Sequence, residues 1–209
     1  MRAVAYKRAY KAEDRFTSAR LVSKRSLRRD KGVLTGVIQS PCAPGIWPAF
    51  WLLPKEPSRW PEDGEIDIAE TWNGDLQNRT CLHFGHHSEA DKHSVITTPL
   101  PNMAKKPVRY DFAWDQPGGE PGQGRLLWYI DGRPVMKSSV PPGMRRIRDF
   151  NILLNIAMGG NVCEGKVPAD GNYDMTVQAL YIADTLEFGG WDKFDKDFAD
   201  EAVPLGKTY

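Results

Sequence analysis

Three carboxylates within six residues constrain this chain more than any other feature of its sequence. The stretch Glu65–Glu70 runs Glu-Ile-Asp-Ile-Ala-Glu and follows a turn-forming Pro-Glu-Asp-Gly segment. The alternation of acids with β-branched Ile predicts a strand with one apolar and one acidic face. Strict alternation would turn Glu70 away from Glu65 and Asp67. One extra residue between Asp67 and Glu70, accommodated as a β-bulge, would bring all three acids to one face.

Acids that share one face of a strand repel one another, so a fold that needs only stability gains nothing from this arrangement. With the bulge, the Cα atoms of Glu65 and Glu70 lie about 13 Å apart along the strand. Side chains that lean toward each other on a concave strand would bring the carboxyls to the roughly 5–5.5 Å of a retaining glycosidase. From spacing alone, the alternatives are a solvated acidic edge strand and a divalent-metal nuclease or phosphatase. The latter needs a basic patch or Gly-rich loop for phosphate, and the neighbours are Trp and Ile instead.

Length and composition fit one domain over residues 1–209, in which 1–16 and 190–209 are candidate tails. Hydrophobic residues make up 41% of the chain, enough for a sizeable core, and the formal net charge of +1 gives no case for nucleic acid or a membrane surface. No apolar run approaches the roughly 18 residues of a membrane span. The first residues lack the apolar core of a secretory signal, so the sequence leaves the localisation open. The three Cys leave at least one thiol unpaired and predict no disulfide framework.

Short β-like segments separated by Gly- and Pro-rich turns fill most of the chain. The plainest hairpin joins 125–130 to 133–136 through Asp131-Gly132, the favoured pair for a type I′ turn. Ile46–Pro54 is apolar on both faces and predicts a central strand. No long segment has helical periodicity. About ten to fourteen such strands predict an all-β sandwich.

The acidic stretch resembles the signature of glycoside hydrolase family 16, in the bulged form Glu-x-Asp-x-x-Glu of its laminarinase-like branches. Four further motifs are similar to those of the family and follow in the family's order, at 47–54, 82–85, 128–132 and 154–160. The resemblance therefore covers far more than the signature, from about residue 17 to 182. It implies a β-jelly-roll sandwich of the concanavalin A-like lectin/glucanase fold.

The resemblance implies a role for each acid. Glu65 matches the nucleophile, which attacks the anomeric carbon, and Glu70 matches the acid/base, which protonates the leaving oxygen and later activates water. Asp67 matches a helper carboxylate between them. A charged Asp67 would raise the pKa of Glu70 and keep that acid protonated. Equally, Asp67 would share a proton with Glu65 and hold its rotamer, and the sequence does not separate these two roles.

The resemblance also implies a cleft that binds sugar through flat aromatic rings and hydrogen-bonding groups. Trp51 and Trp60 match aromatic residues of the family's cleft, and His83 matches a position beside the acid/base. Arg20 matches a position close to the cleft, with an ordinary surface Arg as the alternative. Trp72 is expected on the cleft face if the bulge is present. The alternative for any Trp is packing in the core, which we expect for Trp47, Trp114 and Trp128.

All four His residues fall between positions 83 and 93, which raises the alternative of a zinc site. No carboxylate or Cys completes a recognisable ligand spacing around them, so we predict neither a metal nor a cofactor. Some members of the family hold a structural calcium ion, whose N-terminal ligand has no counterpart here that we can assign.

Together these features predict a retaining endo-β-glucanase that hydrolyses β-1,3- or mixed β-1,3/1,4-glucan through a glycosyl-enzyme intermediate. A glucan transglycosylase, in which a second sugar releases the intermediate, is the nearest alternative. A glycan-binding lectin of the same fold is the alternative outside enzymes, although a binding module has no use for Glu70 beside Glu65. We expect a monomer whose partner is a β-glucan polysaccharide or oligosaccharide, with no role for nucleic acid or membrane.

Overall fold

The computed structural model describes residues 1–86, 91–119 and 123–208, which form antiparallel sheets and one α-helix. In chain order the elements are β1 (Arg2–Ala5), β2 (Phe16–Thr17), β3 (Arg20–Val22), β4 (Lys31–Gln39), β5 (Ile46–Pro54), β6 (Glu65–Glu70), β7 (Gln77–Phe84), β8 (Lys92–Pro99), β9 (Val108–Asp115), β10 (Arg125–Ile130), β11 (Arg133–Ser139), β12 (Phe150–Met158), β13 (Gly171–Asp174), β14 (Thr176–Ala183), α1 (Gly190–Ala199) and β15 (Lys207–Thr208). No helix within these described ranges has the length and apolar character needed to cross a membrane.

The strands form two large sheets and one small sheet. The larger sheet has seven strands in the order β15-β8-β7-β6-β5-β12-β3, and the second has five in the order β11-β10-β9-β4-β14. A three-stranded sheet, β13-β1-β2, lies beside them. Strands that are distant in sequence are neighbours in both large sheets, as in a jelly roll. The acidic strand β6 is central in the seven-stranded sheet, not at an edge as the solvated-strand alternative requires.

The hydrophobic core lies between the two large sheets. Phe50 and Ile66 contribute to it from the seven-stranded sheet, while Phe112, Trp114 and Trp128 contribute from the five-stranded sheet. The ring of Phe112 lies 5.8 Å from that of Trp114 and 5.0 Å from that of Trp128, and both indoles are fully buried. Since alternate residues of each strand face this core, the other face of the seven-stranded sheet is left for a ligand. The core assignment of these two indoles is confirmed.

The Asp131-Gly132 turn has the predicted geometry. Asp131 has φ of 48° and Gly132 has φ of 74°, so both central residues adopt the left-handed conformation of a type I′ turn. Asp tolerates this conformation and Gly has no Cβ to oppose it. The turn fixes the register in which Ile130 pairs with Arg133.

The segments 1–16 and 190–209, which the sequence offered as candidate tails, both contain elements that pack on the rest of the fold. β1 pairs with β13 and β2, and its residues Ala3 and Ala5 are buried. Helix α1 lays Phe194 against the outer face of the five-stranded sheet, in a cluster with Leu127 and Tyr129. The seven-stranded sheet keeps its outer face clear of this helix.

Candidate active site

A β-bulge interrupts the acidic strand where the spacing of the acids predicts it. Phe50 and Trp51 are adjacent on β5, but their partners on β6 are Ala69 and Asp67, so Ile68 is an extra residue. The register of β6 with β7 on its other side shifts over the same stretch. The bulge is therefore confirmed, and it reverses the direction of every side chain that follows it on β6.

The bulge brings Glu65 and Glu70 to the lining of one open cleft of about 480 Å³. The cleft lies on the outer face of the seven-stranded sheet, with Trp47 and Trp51 of β5 among its lining residues. Arg20 lines it from β3. Its volume is within the range of about 300–1,000 Å³ typical of ligand sites. The cleft therefore combines two acids with flat apolar surfaces.

Burial raises the pKa of both cleft glutamates, and the charge of Asp67 raises it further. The pKa of Glu65 lies at about 7 and that of Glu70 at about 8, against an ordinary value of 4.5. Asp67 is only 2% exposed, and it is the largest electrostatic influence on each of them. Because burial and the charge of Asp67 act on both carboxyls, the two glutamates titrate as a coupled pair that retains a proton near neutral pH.

Each glutamate accepts a hydrogen bond from its own indole. Trp60 Nε1 donates to Glu65 Oε2 at 2.7 Å, and Trp47 Nε1 donates to Glu70 Oε1 at 2.6 Å. A donor to a carboxyl stabilises its charged form, so these bonds lower the pKa of each acid and oppose the effect of burial. The indoles also restrict the rotamers of the two side chains. Trp60 is not among the residues that line the cleft of about 480 Å³, but it contacts the cleft acid Glu65 directly.

Replacing Trp47 by Phe is expected to move the alkaline limb of the kcat/KM profile to higher pH. The parent profile should be bell-shaped, limited by ionised Glu65 on the acid side and protonated Glu70 on the alkaline side. Without the indole N–H, the charged form of Glu70 loses a stabilising donor, so its pKa rises by about one unit. The measurement is kcat/KM against pH on a soluble glucan. Trp51→Phe is the matched control, since that indole donates to Asn155 and should leave the limb in place.

Arg20, Trp51 and Asn155 form a second group in the cleft. The guanidinium of Arg20 lies 4.6 Å from the ring centroid of Trp51, whose Nε1 donates to Asn155 Oδ1 at 2.7 Å. The indole is thereby held from both sides, and its flat surface suits the apolar face of a pyranose. Arg20 and Trp51, both candidate cleft residues in the sequence, line the same cleft. Asn155, which sequence reasoning did not select, belongs to the 154–160 motif that did carry the resemblance.

One predicted position needs correction. Trp47 does not pack in the core: it lies on the cleft face of β5, half-buried, with its N–H on Glu70. Trp72 is not among the residues that line the cleft, but the pairing with β5 continues past Glu70, since Thr71 N donates to Pro48 O and Asn73 N donates to Ile46 O. The alternation therefore gives Trp72 the same direction as Glu70. Its ring packs against the guanidinium of Arg79, 4.1 Å from its centroid.

His83 joins the acidic strand to a second carboxylate. Its Nε2 lies 3.3 Å from Asp67 Oδ2, and its Nδ1 lies 2.7 Å from Asp91 Oδ2, which also contacts Nδ1 of His93 at 3.1 Å. Cys81 Sγ lies 3.4 Å from the same Nε2. Donor atoms this close to one another could hold a cation. We interpret them as a hydrogen-bond network, because each carboxylate contact joins an acid oxygen to a ring nitrogen. Of the other two His residues, His86 is exposed and His87 lies outside the described residues.

A comparison with known families matches the part of the chain that contains the acidic strand. Residues 2–113, more than half of the chain, match the XgeA-like catalytic domain of glycoside hydrolase family 16. The chain belongs to glycoside hydrolase family 16. This places the observed jelly-roll sandwich and the Glu65–Glu70 strand within a laminarinase-like group of that family.

Several known proteins are similar to this chain over most of its length. Glucan endo-1,3-beta-glucosidase A1 of Niallia circulans is 26% identical over 184 residues, which is 80% of this chain but 26% of that protein. LamA of Z. galactanivorans, in complex with laminaritriose and laminaritetraose, superposes with a TM-score of 0.69 at 24% identity, covering 88% of this chain and 77% of that one. A family 16 protein from a Bacteroides ovatus mixed-linkage glucan locus, in complex with a G4G4G3G product, superposes with a TM-score of 0.67 at 21% identity. The match covers 87% of this chain and 78% of that one. The chain therefore spans about a quarter of the length of the first of these relatives.

Proposed function

We propose that this protein is a retaining endo-β-glucanase that hydrolyses β-1,3- or mixed β-1,3/1,4-glucan. The observation that carries the proposal is the bulge, because it brings Glu65 and Glu70 to one open cleft with Asp67 buried between them. A strand built only for stability would not place three acids there. The relatives named for β-1,3-glucan or solved with laminari- and mixed-linkage oligosaccharides support this substrate class.

In the first step Glu65 attacks and Glu70 donates a proton. The ionised Glu65 oxygen forms an ester bond to the anomeric carbon, while the glycosidic C–O bond breaks and its oxygen takes the proton of Glu70. The raised pKa of Glu70, at about 8, supplies the protonated acid that this step needs. The Trp60 bond to Glu65 Oε2 orients the carboxylate and leaves Oε1 available for attack.

In the second step the same residues exchange roles. Glu70, now a carboxylate, takes a proton from water, whose oxygen attacks the anomeric carbon and releases Glu65 as a carboxylate. Two displacements at one carbon retain its configuration. As the glycosyl-enzyme forms, Glu65 loses its negative charge, which lowers the pKa of Glu70 and makes it a base of suitable strength.

The protein should produce new reducing ends on laminarin or lichenan and none on agarose. The test combines reducing-end counts with product lengths, and with the anomeric configuration of the first product by NMR. Release of the β-anomer supports retention, whereas the α-anomer would contradict it. Redistribution of chain lengths without new reducing ends would indicate a transglycosylase, and binding without any product would indicate a lectin. Either result would replace the hydrolase proposal.

A further inference from the structure

Asp91, His83 and Asp67 form a continuous chain of contacts that ends between the two glutamates; we refer to these three residues as the relay. His83 pairs with Glu65 in the register of β7 with β6, so the imidazole lies on the cleft side of the sheet. Its ring centroid is 5.9 Å from that of Trp60. Asp91 lies just before β8 and does not line the cleft.

The geometry of the relay favours a charged imidazole. Both ring nitrogens of His83 face a carboxylate oxygen, at 2.7 Å from Asp91 and 3.3 Å from Asp67. A neutral ring carries only one N–H, so one lone pair would face the lone pairs of a carboxylate. With both nitrogens protonated, each contact becomes a charge-assisted hydrogen bond. Burial lowers the pKa of His83, but its bonds to Asp67 and Cys81 outweigh burial and raise the pKa.

We propose that Asp91 is a positioning residue, which holds His83 as a cation so that the Nε2–H of that ring fixes Asp67 as a carboxylate between the two glutamates. The inference rests on the proposed function in that Glu65 and Glu70 perform the chemistry. Asp91 touches neither the cleft nor the reacting atoms, so it acts only through His83. The contact of His93 Nδ1 with the same Oδ2 holds the Asp91 carboxylate in place.

Several titratable groups surround the ring of His83. Among the described residues, those that face the ring or sense its charge are Glu65, Asp67 and Glu70 on β6, Cys81 on β7, His93 on β8, and Asp91. Burial raises the pKa of Cys81 to about 11, so its thiol is neutral and adds no charge. In the described part of the chain, Arg79 of β7 pairs with Glu70 in the strand register and Arg20 lines the cleft, while the ring of His83 contacts Asp67 itself. Asp91 is the acid outside the trio that contacts the other nitrogen of this ring, at 2.7 Å.

The test measures the charge state of His83. It is monitored by ¹⁵N NMR of the histidine rings between pH 6 and 11, and the signals missing in His83→Gln are assigned to His83. In the parent, His83 should remain doubly protonated well above pH 8. In Asp91→Asn its pKa should fall by about 1–3 units, because an adjacent opposite charge is removed. In Asp91→Glu, which keeps the charge, it should stay raised. An unchanged pKa in Asp91→Asn would overturn the proposal.

Kinetics give an independent readout on laminarin or lichenan. Asp91→Asn should lower kcat about 10- to 100-fold through misplacement of Asp67, with KM nearly unchanged, and Asp91→Glu should restore part of the loss. Asp149→Asn removes an acid that pairs with Lys55 instead, and it should leave both kcat and the His83 signals unchanged. A loss confined to KM would contradict a positioning role. The NMR measurement needs no substrate, so a parent without glucanase activity would refute the proposed function without deciding the role of Asp91.

Discussion

Glu65→Gln should lower kcat on laminarin by at least about 10³-fold, and no choice of leaving group should restore it. The amide cannot form the glycosyl ester, so the first displacement has no nucleophile. Glu70→Gln should lower kcat on laminarin by about 10²–10⁴-fold, because the leaving oxygen then departs without a proton. On an aryl glucoside whose phenolate leaves without protonation, Glu70→Gln should still form the glycosyl-enzyme, and azide should release it as a glycosyl azide. The two variants are thus separable by the substrate that rescues one of them.

The matched control for both is Glu62→Gln. Glu62 lies in the turn that leads into the acidic strand and pairs with Arg59 at 3.1 Å, without a place in the cleft. The activity of Glu62→Gln should equal that of the parent protein on both substrates. Calorimetric or fluorescence titration with a laminari-oligosaccharide should show that Glu65→Gln and Glu70→Gln still bind. Parent-like hydrolysis in either variant would remove the catalytic assignment.

The bulge was predictable because a spacing of five between two acids leaves few alternatives. A strand has period two, so Glu65 and Glu70 share a face only if one residue is absorbed between them. Because a pair of acids on one face can perform acid/base chemistry, we predict that Glu65 and Glu70 share a face. The residue absorbed, Ile68, was not predictable, since Ile68 and Ala69 are both apolar and both buried. Only the register against β5 identifies it.

The aromatic wall of the cleft was harder to predict, for a reason particular to sugar sites. β5 alternates as any strand does, with Phe50 and Leu52 toward the core and Trp47 and Trp51 toward the cleft. Because a glucan cleft is itself lined with apolar rings, both faces are hydrophobic and the strand resembles one buried on both sides. The polarity of the side chains therefore does not distinguish the core face of β5 from its cleft face. The family resemblance selected Trp51 for the cleft but did not select Trp47.

Of the relay residues, the sequence selected Asp67 and His83 but offered no signal for Asp91. His83 and Asp91 come from opposite arms of the β7–β8 hairpin, and their contact depends on the pairing of those strands. By contrast, helix α1 did leave a signal, with Trp191, Phe194 and Phe198 at helical spacing. Its ten residues are too short a window for that pattern to stand out. Contacts across strands need the fold first, whereas a short amphipathic helix can be recovered by a closer search.

Asp67→Asn is expected to lower kcat about 100-fold at pH 7 and to move both limbs of the kcat/KM profile to lower pH. The charge of Asp67 opposes ionisation of both glutamates, so its removal lowers the pKa of Glu65 and of Glu70. A lower pKa for Glu70 means that the acid loses its proton sooner as pH rises, and the alkaline limb moves down. A lower pKa for Glu65 keeps it ionised in more acidic solution, and the acid limb moves down with it.

This profile separates the two roles that the sequence left open for Asp67. If Asp67 acts through its charge, the whole window moves; if it only holds the rotamer of Glu65, kcat falls while both limbs stay in place. The matched control is Asp115→Asn. Asp115 is a buried acid of the five-stranded sheet, and it pairs with Lys31 and Arg125. That change should reduce stability without moving either limb, since Asp115 lies in the sheet away from the cleft. A shift of the limbs upward in Asp67→Asn would contradict the electrostatic role, because no loss of negative charge can stabilise the protonated acids.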